Sequence, residues 1–185
     1  LPPRANITRF IKEGADMVIY SGGKGIRGPQ GTGVLCGRSD LIEAAYANAS
    51  PHQFIGRGLK VAKEEIIGLS KALEIFLSED EKEENKRYQQ MCDQIVDALI
   101  EIPGVGLQTK FDPYDYLIPT ALITFDPDRN GLSRDEVWKQ MVAGDPPIYL
   151  SNLGTPDELA VDPFNIADSE LEMVIGRLRE LLVQN

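Results

Sequence analysis

Lys24 is the residue whose type and surroundings best suit covalent chemistry. It is the single cation in residues 21–25, directly after the apolar run 17–20. An amine held between glycines at the end of a strand has few side chains to solvate it, so its free-amine form becomes available as a nucleophile. These neighbours favour a lysine that forms a Schiff base. The alternative is a solvated loop charge, which is the usual role of lysine in a glycine-rich turn.

Two other kinds of glycine loop are excluded by spacing. Glycines at positions 23, 25 and 28 match the dinucleotide-binding pattern G-x-G-x-x-G. That pattern has to open a helix, whereas Pro29 and the apolar residues 32–36 predict a turn and a second strand. A phosphate-binding P-loop needs Ser or Thr directly after its lysine, and Lys24 is followed by glycine.

A second candidate is a group of cations that could meet an anion. Arg57, Lys60 and Lys63 fall three residues apart, so they share one side if this segment is helical. Arg57 is the strongest candidate, because its planar fork matches a carboxylate or phosphate. The alternative is a solvated basic edge that pairs with Glu64 and Glu65.

The remaining chemistry-bearing side chains give weaker signals. His52 is the only histidine, and a single histidine offers neither a metal cluster nor a catalytic triad. A structural role in a loop is expected for it. Cys36 lies in a predicted strand and Cys92 on a predicted helix, and their number and spacing indicate structural thiols and no metal site.

Composition narrows the classes of function. The chain has 185 residues, 42% of them hydrophobic, and a formal net charge of −10. Such a charge argues against a nucleic-acid binder. No apolar stretch is long enough to span a membrane and no signal segment stands at the start, so we expect a cytoplasmic chain.

Hydrophobic periodicity predicts the elements that position these residues. Residues 16–20 and 32–36 read as short buried strands of a larger sheet. Helices are predicted over 39–47, 60–77 and 83–102. Pro103 and Gly104 end the last of these. Downstream, strands are predicted over 105–111, 117–125, 148–151 and 158–162. A helix capped by Ser133 and Glu136 and a last helix capped by Asp168 complete a two-layer α/β unit.

The lysine loop and the basic segment together resemble a known family. DMVIYSGGKGIRGPQGTGVLCGR (16–38) and RGLKVAKEEIIGL (57–69) are similar to segments of fold-type I pyridoxal-phosphate enzymes. The likeness is greatest to the L-seryl-tRNA(Sec) selenium transferase family, which includes D-glucosaminate-6-phosphate ammonia-lyase-like proteins. That family's pattern has Asp where this chain has Gly23 and Ala62. These departures argue against selenocysteine synthesis itself and leave the cofactor lysine in place.

The resemblance implies a fold and a set of site residues. Residues 1–80 are expected to be the C-terminal part of a pyridoxal-phosphate-binding large domain, and 81–185 a complete small α/β domain with its connecting helix. The family's phosphate-binding glycines and pyridine-binding Asp precede such a segment, so we expect a C-terminal part of a larger enzyme. The expected roles are a Schiff base at Lys24, cofactor contacts by Ser21, Gly28 and Gln30, and substrate or anion contacts by Arg57, Lys60 and His52.

The implied function is that of a pyridoxal 5'-phosphate-dependent lyase or transferase, also similar to class V aminotransferases. Its expected reaction is β-elimination, β-replacement or ammonia loss on a small anionic amino acid or amino sugar acid, in a homo-oligomer. A different interpretation remains open. The chain could instead be a catalytically inactive binding or assembly module derived from such an enzyme.

Overall fold

The computed structural model of the chain describes residues 3–112, 114–152 and 154–184. Its contacts divide the chain into two compact units, Leu1–Glu81 and Lys82–Asn185. Net charge is distributed unevenly between them. The first unit has equal numbers of acidic and basic residues, 10 of each, whereas the second has 19 acidic and 9 basic residues. The whole net charge of −10 therefore belongs to the second unit.

The first unit places a short sheet against helices. Strands β1 (Met17–Ser21) and β2 (Gly33–Gly37) pair antiparallel, with Ser21 opposite Gly33. The helices are α1 (Asn6–Lys12), α2 (Ser39–Ala47) and α3 (Lys63–Ser78). Tyr20, Ile26 and Phe76 form the buried core of this unit. The predicted strands and α2 are confirmed, whereas α1 was not predicted.

The two faces of this sheet differ in burial. Tyr20 is buried, and its hydroxyl donates a hydrogen bond to the Asn6 carbonyl at 2.7 Å, which ties β1 to α1. On the opposite face Ile19 is 76% exposed, and Met17 and Leu35 are exposed as well. The prediction of buried strands is therefore wrong for one face, because no described residue of this unit covers it.

The second unit is a two-layer α/β fold. Its antiparallel sheet has the order β3 (Val105–Lys110), β4 (Thr120–Phe125), β5 (Glu158–Val161). The helices are α4 (Glu81–Leu99), which begins at the boundary, α5 (Arg134–Ala143) and α6 (Leu171–Leu182). Ser133 and Glu136 form the predicted capping box of α5, with Ser133 N–H donating to Glu136 Oε2 at 2.8 Å.

Helical periodicity explains the core of this unit. The buried residues of α4 recur every three or four positions, as a helix with one face against a sheet requires: Tyr88, Met91, Cys92, Ile95 and Leu99. Burial raises the pKa of the Cys92 thiol to about 12, which keeps it protonated and unreactive. The prediction of a structural thiol is confirmed for Cys92.

One predicted strand does not form. Residues 148–151 make no ladder, and only the isolated bridge between Ser151 and Ala160 joins this segment to β5. Pro146 and Pro147 precede it and lack amide hydrogens, and Ile148 N–H is used by the carbonyl of Met141 at 3.0 Å. The first donor of the segment is therefore already engaged, and the prolines before it cannot extend a ladder.

Truncation of the α4 core should destabilise the second unit. Ile95 is fully buried, so Ile95→Ala is expected to lower the free energy of unfolding by about 2–5 kcal/mol through lost burial and a new cavity. Ile100→Ala, the same change at a residue that is 51% exposed, should cost less than about 0.5 kcal/mol. Trp138 lies in this unit and reports its unfolding in urea. Equal losses in both variants would contradict this account of the core.

Stability at alkaline pH should depend on Tyr116. Its hydroxyl donates to the buried carboxylate of Glu158 at 2.9 Å. Burial, and then the contact with Glu158, raise the Tyr116 pKa from 10.0 to about 12. Because the folded-state pKa is the higher one, this stabilisation is fully present below about pH 10 and is lost as pH rises through about 12.

The measurement is urea unfolding of wild type and Tyr116→Phe between about pH 8 and pH 11. The variant should be less stable near pH 8, because Glu158 loses its donor, and the difference should shrink toward pH 11. Tyr114→Phe, at a residue that is 81% exposed, is the matched control. A difference that does not change with pH would refute the role of the hydroxyl.

Candidate active site

The loop between β1 and β2 carries Lys24 and is closed by backbone hydrogen bonds. Gly22 N–H donates to the Thr32 carbonyl at 2.9 Å, extending the strand ladder by one step. Gly28 N–H donates back to the Gly22 carbonyl at 2.8 Å. Lys24 therefore lies in a small closed loop whose ends are fixed to each other.

A tight turn fixes the backbone at Lys24 itself. Arg27 N–H donates to the Lys24 carbonyl at 2.8 Å, and Arg27 has a φ of 58°, in the left-handed region that few non-glycine residues adopt. Ile26, inside this turn, is only 3% exposed and packs in the core of the first unit. The buried Ile26 side chain anchors the turn, and Lys24 lies on its outer side.

Gln30 holds the peptide that precedes Lys24. Its side-chain amide donates to the Gly23 carbonyl at 2.9 Å. A Cβ atom at Gly23 would lie 2.6 Å from the Cα atom of Gln30, which is too close for any side chain. Gly23, where the resembling family has Asp, is therefore required by the close approach of Gln30 in this structure.

Helix α3 packs against the backbone of the loop. A Cβ atom at Gly28 would meet Leu69 and Ala72 of α3 within 3.3 Å, so the backbone of the loop lies directly on the helix. A Cβ atom at Gly68 on α3 would in turn meet the ring of Pro29 at 3.0 Å. Small residues on both surfaces thus allow a contact that larger side chains would prevent.

The exposure of Lys24 differs from the expectation. Its side chain is exposed in the described structure, so the desolvated amine that the sequence predicted is not present. The reason is the turn geometry, because the apolar residue of the turn is Ile26 and this residue is directed inward. The backbone of Lys24 is fixed and its side chain is accessible.

Three of the predicted cofactor-binding residues lie near Lys24 along this loop. Ser21 is the exposed last residue of β1, Gly28 closes the loop, and Gln30 is exposed with its amide nitrogen engaged by Gly23. Their cofactor contacts stay predictions.

Thr32 holds the loop as well, and the sequence analysis did not predict its role. It is buried, and its hydroxyl donates a hydrogen bond to the Pro29 carbonyl at 2.6 Å. The Gly-Pro-Gln-Gly-Thr run was the available signal.

The basic segment is not one helix. Arg57 lies in the 3-10 turn Arg57–Leu59, Lys60 is extended, and Lys63 opens α3. The premise that their spacing puts them on one helix side is therefore wrong. Arg57 is partly buried, and its Nε atom is buried without a hydrogen-bond partner among the described residues. An unpaired guanidinium N–H is costly unless an anion or water meets it.

His52 has a structural contact in the loop that precedes Arg57. Its Nδ1 atom lies 3.0 Å from the Tyr46 carbonyl, and the two rings pack edge to face with centroids 4.9 Å apart. Gly56 N–H donates to the Asn48 carbonyl at 2.8 Å and closes the loop. A role of His52 in substrate binding stays a prediction.

The described residues hold neither a metal cluster nor a membrane helix. No group of three or more His, Cys, Asp or Glu side chains in residues 3–112, 114–152 and 154–184 is arranged to hold a metal ion. Within the same residues, none of the helices combines the length and apolar character needed to cross a membrane.

Comparison with known proteins identifies the class. The solved structure of D-glucosaminate-6-phosphate ammonia-lyase superposes with a TM-score of 0.73 and 29% identity over 94% of this chain and 45% of that one. The fold is that of pyridoxal-phosphate-dependent enzymes. Residues 1–103, which contain the Lys24 loop and α3, match the family described as L-seryl-tRNA selenium transferase, and the chain belongs to this family. Members of the family depend on pyridoxal phosphate.

Two curated relatives show how much of such proteins the chain covers. A 5'-C-glycyluridine monooxygenase-decarboxylase of Streptomyces sp is 34% identical over 97% of this chain and 44% of its own length. The D-glucosaminate-6-phosphate ammonia lyase of Salmonella typhimurium is 29% identical over 93% of this chain and 45% of its own length. The chain thus spans a little under half the length of these relatives.

The loop should not tolerate a side chain at Gly23. Gly23→Ala is expected to displace Gln30 and to cost about 1–3 kcal/mol, as overpacking does. Amide hydrogen exchange of the peptide 21–32 should become faster. Gly58→Ala is the matched control, because a Cβ atom there meets nothing within 4 Å. Unchanged exchange in Gly23→Ala would show that Gln30 does not fix this peptide.

Proposed function

We propose that this chain is part of a pyridoxal 5'-phosphate-dependent lyase or transferase in which Lys24 forms the Schiff base with the cofactor. The observation that carries the proposal is the geometry of the Lys24 loop. Its backbone is held by the hydrogen bonds of Gly22, Gly28 and Arg27, while the amine is accessible to an aldehyde. A nucleophile on a fixed backbone is what a covalent cofactor site needs.

We assign different roles in the reaction to the cofactor and to the residues of this loop. The cofactor, when bound, supplies the electron-withdrawing group that makes the α-carbon of an amino substrate acidic. Lys24 would hold the cofactor through its amine and, as a free amine, would move a proton at that carbon. Ser21, Gly28 and Gln30 are the loop residues that we assign to cofactor contacts.

Cations of the first unit would bind an anionic group of the substrate. Lys24, Arg27, Arg57 and Lys60 all belong to this unit, whereas the second unit carries the whole net negative charge. Arg57 is the best candidate, because its buried Nε atom has no partner among the described residues and a bidentate anion would supply one. Lys60 and His52 are weaker candidates.

The names of the relatives favour substrates that join an amino group to a sugar. One relative is an ammonia lyase of D-glucosaminate 6-phosphate and another is a monooxygenase-decarboxylase of 5'-C-glycyluridine. We therefore propose that the substrate is a small anionic amino acid or amino sugar acid, and that the reaction is β-elimination, β-replacement or ammonia loss. A homo-oligomeric state and a cytoplasmic location belong to the same proposal.

The exposure of Lys24 favours a second candidate function, a binding or assembly module without catalysis. An exposed amine binds an aldehyde with little help from preorganised partners, so the 185-residue chain alone should hold the cofactor weakly. The two functions are distinguished by whether a cofactor adduct forms and on which lysine.

The test is reductive trapping. The intact gene product and the 185-residue chain are each incubated with pyridoxal phosphate, reduced with borohydride and mapped by mass spectrometry. We expect a single adduct on Lys24 in the gene product, absent in Lys24→Ala and retained in the control Lys12→Ala. For the chain alone we expect little visible absorbance and labelling without preference for Lys24. An adduct on another lysine, or none, in the gene product would refute the enzyme and favour the module.

A further inference from the structure

An open cavity of about 570 Å³ lies within the unit Lys82–Asn185. Its walls come from residues 146–152, from the end of β5 with the 3-10 turn Pro163–Asn165, and from the start of α6. The volume falls in the range of small-molecule pockets, about 300–1,000 Å³. None of the residues that line it belongs to the Lys24 loop, and none had been singled out from the sequence as a binding residue.

Hydrogen bonds hold the wall formed by residues 146–152. Ile148 N–H donates to a carbonyl of α5, and Trp138 Nε1–H donates to the Leu150 carbonyl at 2.9 Å. Ser151 and Ala160 exchange two backbone hydrogen bonds, of 3.0 and 2.8 Å. A wall tied to both α5 and β5 does not have to be ordered when a ligand binds, so little binding energy is lost to conformational entropy.

Two carboxylates, those of Asp162 and Glu170, also line the cavity. Asp162 Oδ1 accepts a hydrogen bond from Phe164 N–H at 2.8 Å, and Glu170 Oε2 accepts one from Ala167 N–H at 2.9 Å. Each carboxylate thus uses one oxygen to hold the backbone in place. Asp162 is exposed as a residue, but protein atoms around its carboxyl group partly remove it from water, and this desolvation raises its pKa. The hydrogen bond from Phe164 N–H lowers the pKa by a smaller amount. A carboxyl in such surroundings is a feature typical of binding sites.

Three more polar side chains line the cavity without partners. In the part of the chain that the structure describes, the side chains of Ser151, Asn152 and Asn165 make no hydrogen bond, although each can donate and accept. Of the described residues that line the cavity, none is Lys or Arg. The polar groups that are available therefore suit a ligand that carries both donors and acceptors and no negative charge.

We propose that this cavity binds a neutral, hydroxyl-rich small molecule, such as a sugar ring or a polyol chain. A hydroxyl group can donate to Asp162 or Glu170 and accept from the amide of Asn152 or Asn165. Tyr149 is 72% exposed at the cavity and offers an aromatic surface to the C–H face of such a ligand. An anion would be repelled by the two carboxylates.

The proposal is independent of the cofactor chemistry of Lys24. Its ligand set lies in the second unit, and it stands even if Lys24 forms no adduct. The test therefore includes Lys24→Ala, in which sugar binding should be unchanged.

The experiment is an NMR titration of the ¹⁵N-labelled 185-residue chain with methyl α-D-glucopyranoside. Glucose 6-phosphate and ethylamine serve as the anionic and cationic comparators. We expect saturable shifts confined to amides in residues 146–152 and 161–174, with a dissociation constant on the order of millimolar. Glucose 6-phosphate and ethylamine should bind at least about tenfold more weakly.

Matched variants complete the test. Asn152→Ala and Asn165→Ala should each weaken binding about tenfold, whereas Asn130→Ala, an exposed asparagine outside the cavity, should leave it unchanged. Trp138 fluorescence on heating checks that each variant is folded. Absent or scattered shifts in wild type, tighter binding of ethylamine, or an equal effect of Asn130→Ala would each overturn the proposal, and the first two do not depend on any variant.

Discussion

The hydrogen bond from Gly28 N–H to the Gly22 carbonyl closes the loop on which the candidate chemistry of this chain depends. The loop backbone at Gly28 also lies against Leu69 and Ala72 of α3, at a distance where a side chain at position 28 would crowd both residues and the Gly22 carbonyl. The contact fixes the direction in which the chain leaves β1 and returns to β2. Lys24 is thereby held at one place relative to the core of the first unit, although its own side chain makes no contribution to that core.

Much of the fold was predictable because periodicity reports burial. The α4 face and the capping box at Ser133 and Glu136 follow from spacing, and both are found. Residues 148–151 were predicted as a strand because they are apolar and short. The Met141 carbonyl of α5 takes the N–H of Ile148, and that competition depends on tertiary structure. A sequence pattern records which side chains prefer burial but not which backbone donors are already used.

The site was predictable in its composition and not in its exposure. The glycines and Pro29 around Lys24 predicted a turn between two strands, and the loop does connect β1 and β2. The same glycines suggested a desolvated amine, whereas the side chain is exposed, because the burial of this turn is provided by Ile26. The left-handed conformation of Arg27 also had no sequence signal, since that region is adopted mostly by Gly and Asn.

Polar groups that make no hydrogen bond to another described residue indicate where this chain offers hydrogen bonds to a ligand. The buried Nε atom of Arg57 forgoes a hydrogen bond that a protein selected for stability alone would have made. The amides of Asn152 and Asn165 are accessible to solvent, so they can bind a ligand without such a cost in the free protein. They differ in what they can accept. Arg57 is a cation in a unit with balanced charge, so it suits an anion. The two asparagines line the same cavity as two carboxylates in an acidic unit, so they suit a neutral ligand.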